Sequence, residues 1–182
     1  VFIIGACAAP VCLAQASNLP DPGRAAPAKK PATATVLPQE SALKAMQDFR
    51  EGRLPDAIQR VRPFAERADH DAEYLMGIFM ESLPGATFGN YREAAIWYWR
   101  AAQAGLPAAM NNLAALHVDG KGVPVDYGVA RVWYQRGANA GNALSQYNFA
   151  LMNGRGQGAT KDEKAMLLWM RRSAEGGFAR AQ

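Results

Sequence analysis

The sequence is poor in the residues that carry most enzyme chemistry. Among 182 residues there are two cysteines and two histidines. Cys7 and Cys12 both lie near the start, so the rest of the chain has no thiol for a disulfide, a cysteine-rich zinc site or a nucleophile. His70 and His117 belong to no HExxH pattern, and GxSxG, P-loop and dinucleotide-binding glycine motifs are lacking. We therefore predict a protein that is not an enzyme and uses no cofactor or metal.

Long apolar runs and a strong charge imbalance are also missing. No apolar run reaches the roughly 18 residues that a membrane-spanning helix needs. The 20 Lys and Arg residues against 16 Asp and Glu give a net charge of +4, and the basic residues are not gathered into one patch. With 49% hydrophobic and 20% charged residues, the composition is that of a globular chain. We expect no transmembrane helix and no nucleic-acid partner.

The first sixteen residues form an uncharged apolar segment, VFIIGACAAPVCLAQA. It ends at Ala14-Gln15-Ala16, the small-x-small pattern of a secretory cleavage site, so residues 1–16 are interpreted as a signal peptide whose basic beginning is missing. We accordingly expect a longer reading frame and a protein exported to the periplasm or the extracellular space. An alternative is a lipoprotein box, Ile4-Gly5-Ala6-Cys7, with lipid anchoring at Cys7. The apolar stretch continues beyond Cys7, which argues against that alternative.

Residues 17–40 are rich in proline and alanine. This composition predicts a disordered or extended tether with local polyproline II structure. Its role is either a spacer that holds the folded part away from a wall or membrane, or a passive tail.

From residue 41 onward the chain repeats itself every 36 residues. The step relates three tryptophans, three glycines and three arginines: Trp97, Trp133 and Trp169; Gly105, Gly141 and Gly177; Arg100, Arg136 and Arg172. A period of this length is typical of a stacked array, in which each unit buries its apolar face against its neighbours. The array is predicted to occupy residues 41–182.

Each unit has the pattern of a helical hairpin. Ala94, Trp97, Tyr98 and Ala101 form the apolar stripe of an amphipathic helix that stops at Gly105. A second helix follows and ends at a glycine loop, 119–124, where glycine permits positive φ and proline blocks propagation. The similar loop Gly154-Arg155-Gly156-Gln157-Gly158 is interpreted as the same turn and not as a phosphate-binding loop.

The unit resembles the Sel1-like repeat (SLR) family, relatives of the tetratricopeptide repeats. The matching residues are AAIWYWRAAQAG at 94–105 and GKGVPVDY at 120–127, and the resemblance covers residues 54–182. It implies an all-α fold, a right-handed superhelix of helical hairpins whose first helices line a concave face. It also implies protein or peptide binding, with scaffolding or regulation of signalling.

Both ends of the array depart from the pattern. Val61 stands where the tryptophan belongs, and Pro63 is expected to kink or shorten its helix. A helix at 41–50 is predicted to cover this first unit. At the other end, residues 178–182 align with the first turn of a second helix, so the last repeat is expected to be incomplete. We expect further repeats in a longer chain, or pairing of this end with another chain.

Candidate binding residues are those that break the repeat. Trp99 aligns with Gln135 and Arg171, so it lies off the shared apolar stripe and is interpreted either as a partly exposed anchor for a partner or as packing on a neighbouring loop. The full candidate set is Trp99, Arg92, Gln103, Arg131, Gln135 and Arg171. The repeated Arg100, Arg136 and Arg172 either form a basic ladder or solvate their helices. Asn111, Asn112 and Asn148 are interpreted as structural residues bonded to backbone between hairpins, with contact to a partner as the alternative.

These patterns together predict an exported, non-enzymatic adaptor that holds a protein partner in the cell envelope. A cell-envelope hydrolase or a peptidoglycan-binding protein in contact with the cell wall is the alternative. The identity of the partner cannot be predicted from the sequence.

Overall fold

The computed structural model describes residues 36–181, which form eight α-helices and a short 3-10 helix and contain no strand. The helices are α1 (Gln39–Arg50), α2 (Leu54–Ala65), α3 (His70–Glu81), α4 (Phe88–Gln103), α5 (Pro107–Asp119), α6 (Tyr127–Asn139), α7 (Ala143–Arg155) and α8 (Glu163–Glu175), followed by Ala179–Ala181. The predicted signal peptide, Cys7 and the tether up to residue 35 lie outside the described residues. Helix α1 begins two residues before the predicted start of the array at 41.

Aspartates cap the starts of two hairpin helices, and glycines end two others. Asp126 and Asp162 lie before α6 and α8, and each carboxylate accepts a hydrogen bond from the backbone N–H three residues later, at 2.9 Å in both cases. Such N-caps satisfy a donor that the first helical turn leaves open. Helices α5 and α7 end at Gly120 and Gly156, both with a φ of 68°. Glycine adopts this left-handed conformation without the steric penalty of a Cβ.

The second glycine of each loop is required by a close backbone approach. Gly122 and Gly158 also have positive φ. A Cβ on Gly122 would overlap the backbone of Tyr91 and Arg92 in α4, and one on Gly158 would overlap the backbone of Tyr127 in α6. Each loop therefore packs against the start of the preceding tryptophan helix, which confirms its interpretation as a turn.

Consecutive helices pack against each other throughout residues 36–181, and the buried residues form one continuous core. Trp97 and Trp133 are buried in this core, as is Tyr98. The Tyr98 ring lies so close to Gly77 of α3 that a Cβ there would overlap it. The equivalent positions in the next two repeats, Ala114 and Ala150, are also small. Small residues at these crossings let the paired helices approach closely, so the fold is an all-α solenoid of hairpins, as predicted.

The α1–α2 hairpin covers the first repeat. Val61 is fully buried in the position of the tryptophans, and Pro63 lies in the last turn of α2, which ends at Ala65. The Asp48 carboxylate of α1 is buried between the guanidinium groups of Arg53 and Arg60, at 2.6 and 3.1 Å. The hydrogen bond from Arg53, helped by Arg60, holds the pKa of Asp48 below its usual value.

The other end of the array is more open. In α8, Ser173 is the buried residue, whereas Leu167 and Leu168 are 64% and 50% exposed. Phe178 packs on Tyr147 with ring centroids 5.0 Å apart. Within residues 36–181, the helices are too short or too polar to cross a membrane.

Candidate protein-binding surfaces

Two surfaces run along the array, one on each set of helices. The tryptophan helices α4, α6 and α8 form one surface, and the helices α3, α5 and α7 form the other. Helices α5 and α7 contact each other directly, and more extensively than α4 and α6 do. The candidate residues chosen from the sequence all lie on the tryptophan helices.

Trp99 is half-buried and packs against the core from α4. Its indole Nε1 is enclosed and has no hydrogen-bond acceptor within residues 36–181. The amide Nε2 of Gln103, one turn later on the same face, also lacks one there. These two donors are shielded from solvent, so a partner would reach them only if neighbouring side chains moved. The proposed role of Trp99 and Gln103 in partner binding stays a prediction.

Arg131 packs between repeats. Its guanidinium carbon lies 4.8 Å from the centroid of the Phe149 ring in α7, and its Nη1 is enclosed without an acceptor. The equivalent residue of α4 is Ala95, which is buried. Arg131 therefore occupies a packing position and is directed toward α7, whereas Trp99 and Gln103 share another face of their helix.

The other candidates differ in exposure. Gln135 and Arg171 are exposed at the positions equivalent to Trp99, while Arg92 is half-buried near the loop that contains Gly122. The structure therefore places Trp99, Gln135 and Arg171 in a row along successive tryptophan helices. The side chains of Gln135 and Arg171 are exposed to solvent.

The repeated arginines have a role that the sequence analysis did not consider. Each guanidinium lies over the tryptophan three residues earlier, one helical turn away. The distances from the Cζ atom to the ring centroid are 4.8 Å for Arg100 on Trp97, 5.0 Å for Arg136 on Trp133 and 4.7 Å for Arg172 on Trp169. This cation–π contact shields the outer face of the indole. The W-x-x-R spacing in the sequence could have predicted this stacking of arginine on tryptophan.

The asparagines bond to one another across repeats, and not to the backbone as predicted. The Asn148 amide of α7 donates to Asn111 Oδ1 of α5 at 3.0 Å, and Asn111 donates to Asn112 Oδ1 at 3.2 Å. Asn112 lies beside the hydroxyls of Tyr74 and Tyr98. Tyr98 in turn donates to Glu81 Oε2 at 3.0 Å. Polar contacts therefore connect three successive hairpins on the α3, α5 and α7 side.

Two buried titratable side chains, Glu73 and His117, have shifted pKa values because of their burial in the packed helices. Glu73 is buried and lies 2.8 Å from His70 Nδ1, and burial raises the pKa of Glu73 although His70 opposes the shift. Burial also lowers the pKa of His117, whose Nδ1 has no partner. In the described part of the chain, no three His, Cys, Asp or Glu side chains come together as they would to hold a metal ion.

Comparison with solved structures finds the same architecture in other repeat proteins. The chain is similar to a Sel1 repeat protein from Oxalobacter formigenes, with 26% identity, a TM-score of 0.68 and coverage of 78% of this chain and 56% of that one. It is also similar to c5321, a protective antigen of uropathogenic Escherichia coli with an SLR fold: 28% identity, TM-score 0.70, 78% and 31% coverage. The chain thus spans about half of the first structure's length and a third of the second's.

A third similar structure is cysteine-rich protein B of Helicobacter pylori. At 17% identity and a TM-score of 0.56, covering 71% of this chain and 92% of that one, this likeness shows the fold alone. A search of curated proteins found no match.

The Sel1 repeat model matches residues 70–106, 107–142 and 143–178, more than half of the chain. Each match begins at a helix without tryptophan, so the tryptophan helices are the second helices of their repeats, whereas the sequence analysis took them as the first. The first helices, which were expected to line the concave face, are therefore α3, α5 and α7. Sel1 repeat proteins are typically scaffolds for protein–protein interaction. The chain belongs to the Sel1 repeat family.

Proposed function

We propose that this chain is an exported, non-enzymatic scaffold that holds a protein partner on its repeat array in the cell envelope. The observation that carries the proposal is the array itself. Three hairpins stack and bury their apolar stripes against one another. Two long surfaces of the array then remain available for contact with a partner. Solenoids of this kind bind along extended surfaces and not in one closed pocket.

The chemistry of the described residues supports binding over catalysis. The buried titratable groups each have a packing role, and the ionisable side chains of the second-helix surface are spread along it. Export rests on the apolar segment 1–16 and its Ala14-Gln15-Ala16 ending.

Two experiments test the two parts of this proposal. Fusion of the complete N-terminal segment of the longer reading frame, through residue 40, to a phosphatase that folds only outside the cytoplasm should give an active, exported enzyme. An inactive fusion, compared with one carrying a known signal peptide, would contradict export.

Partner capture is tested by placing a photo-crosslinking residue at Gln135, which is exposed. We expect a discrete protein adduct, and Trp99→Ala should reduce its yield about tenfold, as loss of an aromatic anchor does. Ile58→Ala is the matched control, because Ile58 of α2 is also half-buried and packed against the core. No adduct from crosslinkers on either surface, combined with co-sedimentation with cell-wall sacculi, would replace this proposal by the peptidoglycan-binding alternative.

A further inference from the structure

A polar cavity lies between α1 and α2, the hairpin that precedes the three matched repeats. Its volume is about 410 Å³, within the range of roughly 300–1,000 Å³ that is usual for small-molecule sites, and it is open to solvent. We call it the α1–α2 cavity. The side chains that line it are all charged or polar: Lys44, Asp48, Arg53, Asp56, Gln59 and Arg60. Such a lining suits a small charged molecule and not an apolar one.

The buried Asp48 carboxylate orients two of the cationic side chains. One of its oxygens accepts a hydrogen bond from Arg53 Nη2 at 2.6 Å, and the other accepts from Nε and Nη2 of Arg60 at 3.2 and 3.1 Å. Because Asp48 belongs to α1 and Arg60 to α2, these contacts also join the two helices. Guanidinium groups that are already held in place lose less conformational entropy when they bind a ligand.

Lys44 and Arg60 retain hydrogen-bond donors for a ligand. The contacts of Lys44 Nζ are long, 3.5 Å to Gln47 Oε1 and 3.8 Å to Asp48 Oδ1. Arg60 uses Nε and Nη2 on Asp48, and within residues 36–181 no partner is found for its Nη1 or for the Gln59 amide. Lys44 and Arg60 thus share one carboxylate, and the positive charge left on this side of the cavity can bind a carboxylate group.

Asp56 gives the other side of the cavity an excess of negative charge. Its carboxylate is 58% exposed and lies 3.8 Å from Arg53 Nε. Arg53 also pairs with Glu51 and Asp48, so one guanidinium is shared by three carboxylates. When Glu51 is counted with the lining residues, three cations face three carboxylates. The cavity therefore has two oppositely charged sides and no net charge that would attract a simple anion or a simple cation.

The spacing of the two sides matches a free α-amino acid. Asp56 and Arg60 are four residues apart on α2, so they are neighbours on one face of the helix, with Cβ atoms about 5–6 Å apart. The ammonium and carboxylate groups of an amino acid are attached to the same carbon, and each can reach one of these neighbours through a charge-assisted hydrogen bond. Gln59 also lines the cavity, and its amide can donate to or accept from a polar ligand side chain.

We propose that the α1–α2 cavity binds a free α-amino acid, with the carboxylate held by Lys44 and Arg60 and the ammonium group held by Asp56. The ligand bridges α1 and α2, so it stabilises the hairpin that covers the first repeat. The site lies outside the three matched repeats, and the inference is independent of partner capture by the array.

Isothermal titration calorimetry of the purified chain tests this inference. Each of the twenty common amino acids is titrated separately, and we expect at least one to bind with a dissociation constant below about 1 mM. Its N-acetyl derivative lacks the ammonium group and its amide lacks the carboxylate, so each should bind at least about tenfold more weakly. Sodium acetate and sodium phosphate are titrated as simple anions and should bind more weakly still.

Two variants remove one charged group each from opposite sides of the cavity. Asp56→Asn and Lys44→Gln should each raise the dissociation constant of the amino acid at least about tenfold. The N-acetyl derivative should bind Asp56→Asn as well as it binds the unaltered protein, because it lacks the group that Asp56 holds. Asp71→Asn is the matched control, since it neutralises an exposed aspartate in the first turn of α3, and it should leave binding within twofold. Circular dichroism verifies that each variant is folded.

Three results would overturn the inference. The first is that none of the amino acids binds at millimolar concentration. The second is that acetate or phosphate binds as tightly as the amino acid, which would indicate a simple anion site. The third is amino-acid binding that is unchanged in both Asp56→Asn and Lys44→Gln, which would place the ligand elsewhere. Crosslinking of a partner at Gln135 is measured separately, so each of these results leaves the scaffold function to be judged by its own test.

Discussion

At the scale of single residues, the repeated arginines cover the tryptophan rings of the array. Each of the three repeated indoles has an arginine guanidinium over its ring, from a residue one helical turn later. Guanidinium groups suit this role because their flat, weakly hydrated plane stacks on a ring. The repeated W-x-x-R spacing is therefore a packing unit, and the proposed basic ladder is not needed to explain it.

Gly122 should tolerate alanine poorly. Its φ is 69°, and a Cβ would overlap the backbone of α4. We expect Gly122→Ala to lower the free energy of unfolding by more than about 2 kcal/mol, because strain and displacement of the loop add. Gly105→Ala is the control: it has positive φ but open space around it, and should lose about 1 kcal/mol. Urea unfolding followed by circular dichroism measures both, and equal losses would contradict the close approach.

His117 should make the fold sensitive to mild acid. Burial lowers its pKa below the ordinary 6.5, so the unfolded chain binds a proton more readily than the folded one. The contribution of His117 to the free energy of unfolding is therefore fully present above the pKa of the unfolded chain. It is lost as the pH falls from that value toward the folded pKa. Between pH 7.5 and 5.5 we therefore expect the melting temperature to fall, because the unfolded chain takes up a proton at His117 over this range and the folded chain does so less readily.

The control replaces His117 by the residue of the next repeat. Its equivalent there is Asn153, which is buried and donates to the Phe149 carbonyl at 2.8 Å. His117→Asn should remove the acid-dependent loss, since the variant has no titrating group at this position. Glu73 and His70 are unchanged in both proteins and cancel in the comparison. An identical pH profile for the two proteins would show that His117 does not titrate on unfolding.

At the scale of elements, the sequence was sufficient for the helices and their ends. The stripe at Ala94, Trp97, Tyr98 and Ala101 predicted α4, and the glycines after it and in the 119–124 loop predicted the stops. These signals are local, because caps, turns and amphipathic stripes depend on neighbours within a few residues. The burial of Val61 in the place of a tryptophan was also predicted, whereas the helix with Pro63 has 12 residues, as many as α1 and α3, so the expected shortening is not observed.

Such local signals could not predict which helix begins each repeat, nor the hydrogen bonds between the asparagines. A period of 36 residues is the same wherever the unit is begun, so periodicity alone cannot say which helix is first. Asn148 and Asn111 are 37 residues apart in the sequence, and their hydrogen bond depends on how α5 and α7 pack. The candidate surface was accordingly placed on helices that are the second of each repeat, and the asparagine contacts lie on the first.

For the whole molecule, stability is expected to vary along the array because each repeat contacts only its neighbours. Trp133 is 1% exposed and has repeats on both sides. Trp169 is half-buried, with Phe149 5.5 Å from its ring on one side, while Leu167 and Leu168 of the same helix remain exposed. In a protein comprising residues 1–182, helix α8 should therefore open more easily than α6.

Hydrogen exchange read by mass spectrometry can detect this gradient. We expect amides of α8 to exchange at least tenfold faster than those of α6 in the unaltered protein. Trp169→Ala should remove protection from α8 and leave α4 to α6 protected. Trp133→Ala, at the equivalent position, leaves a cavity that costs about 3–5 kcal/mol and removes contacts of both neighbouring hairpins, so protection should fall in α4, α6 and α8 together. If both variants lost protection uniformly, the array would unfold as one cooperative unit, and the partner-binding surfaces would then have to form and be lost together.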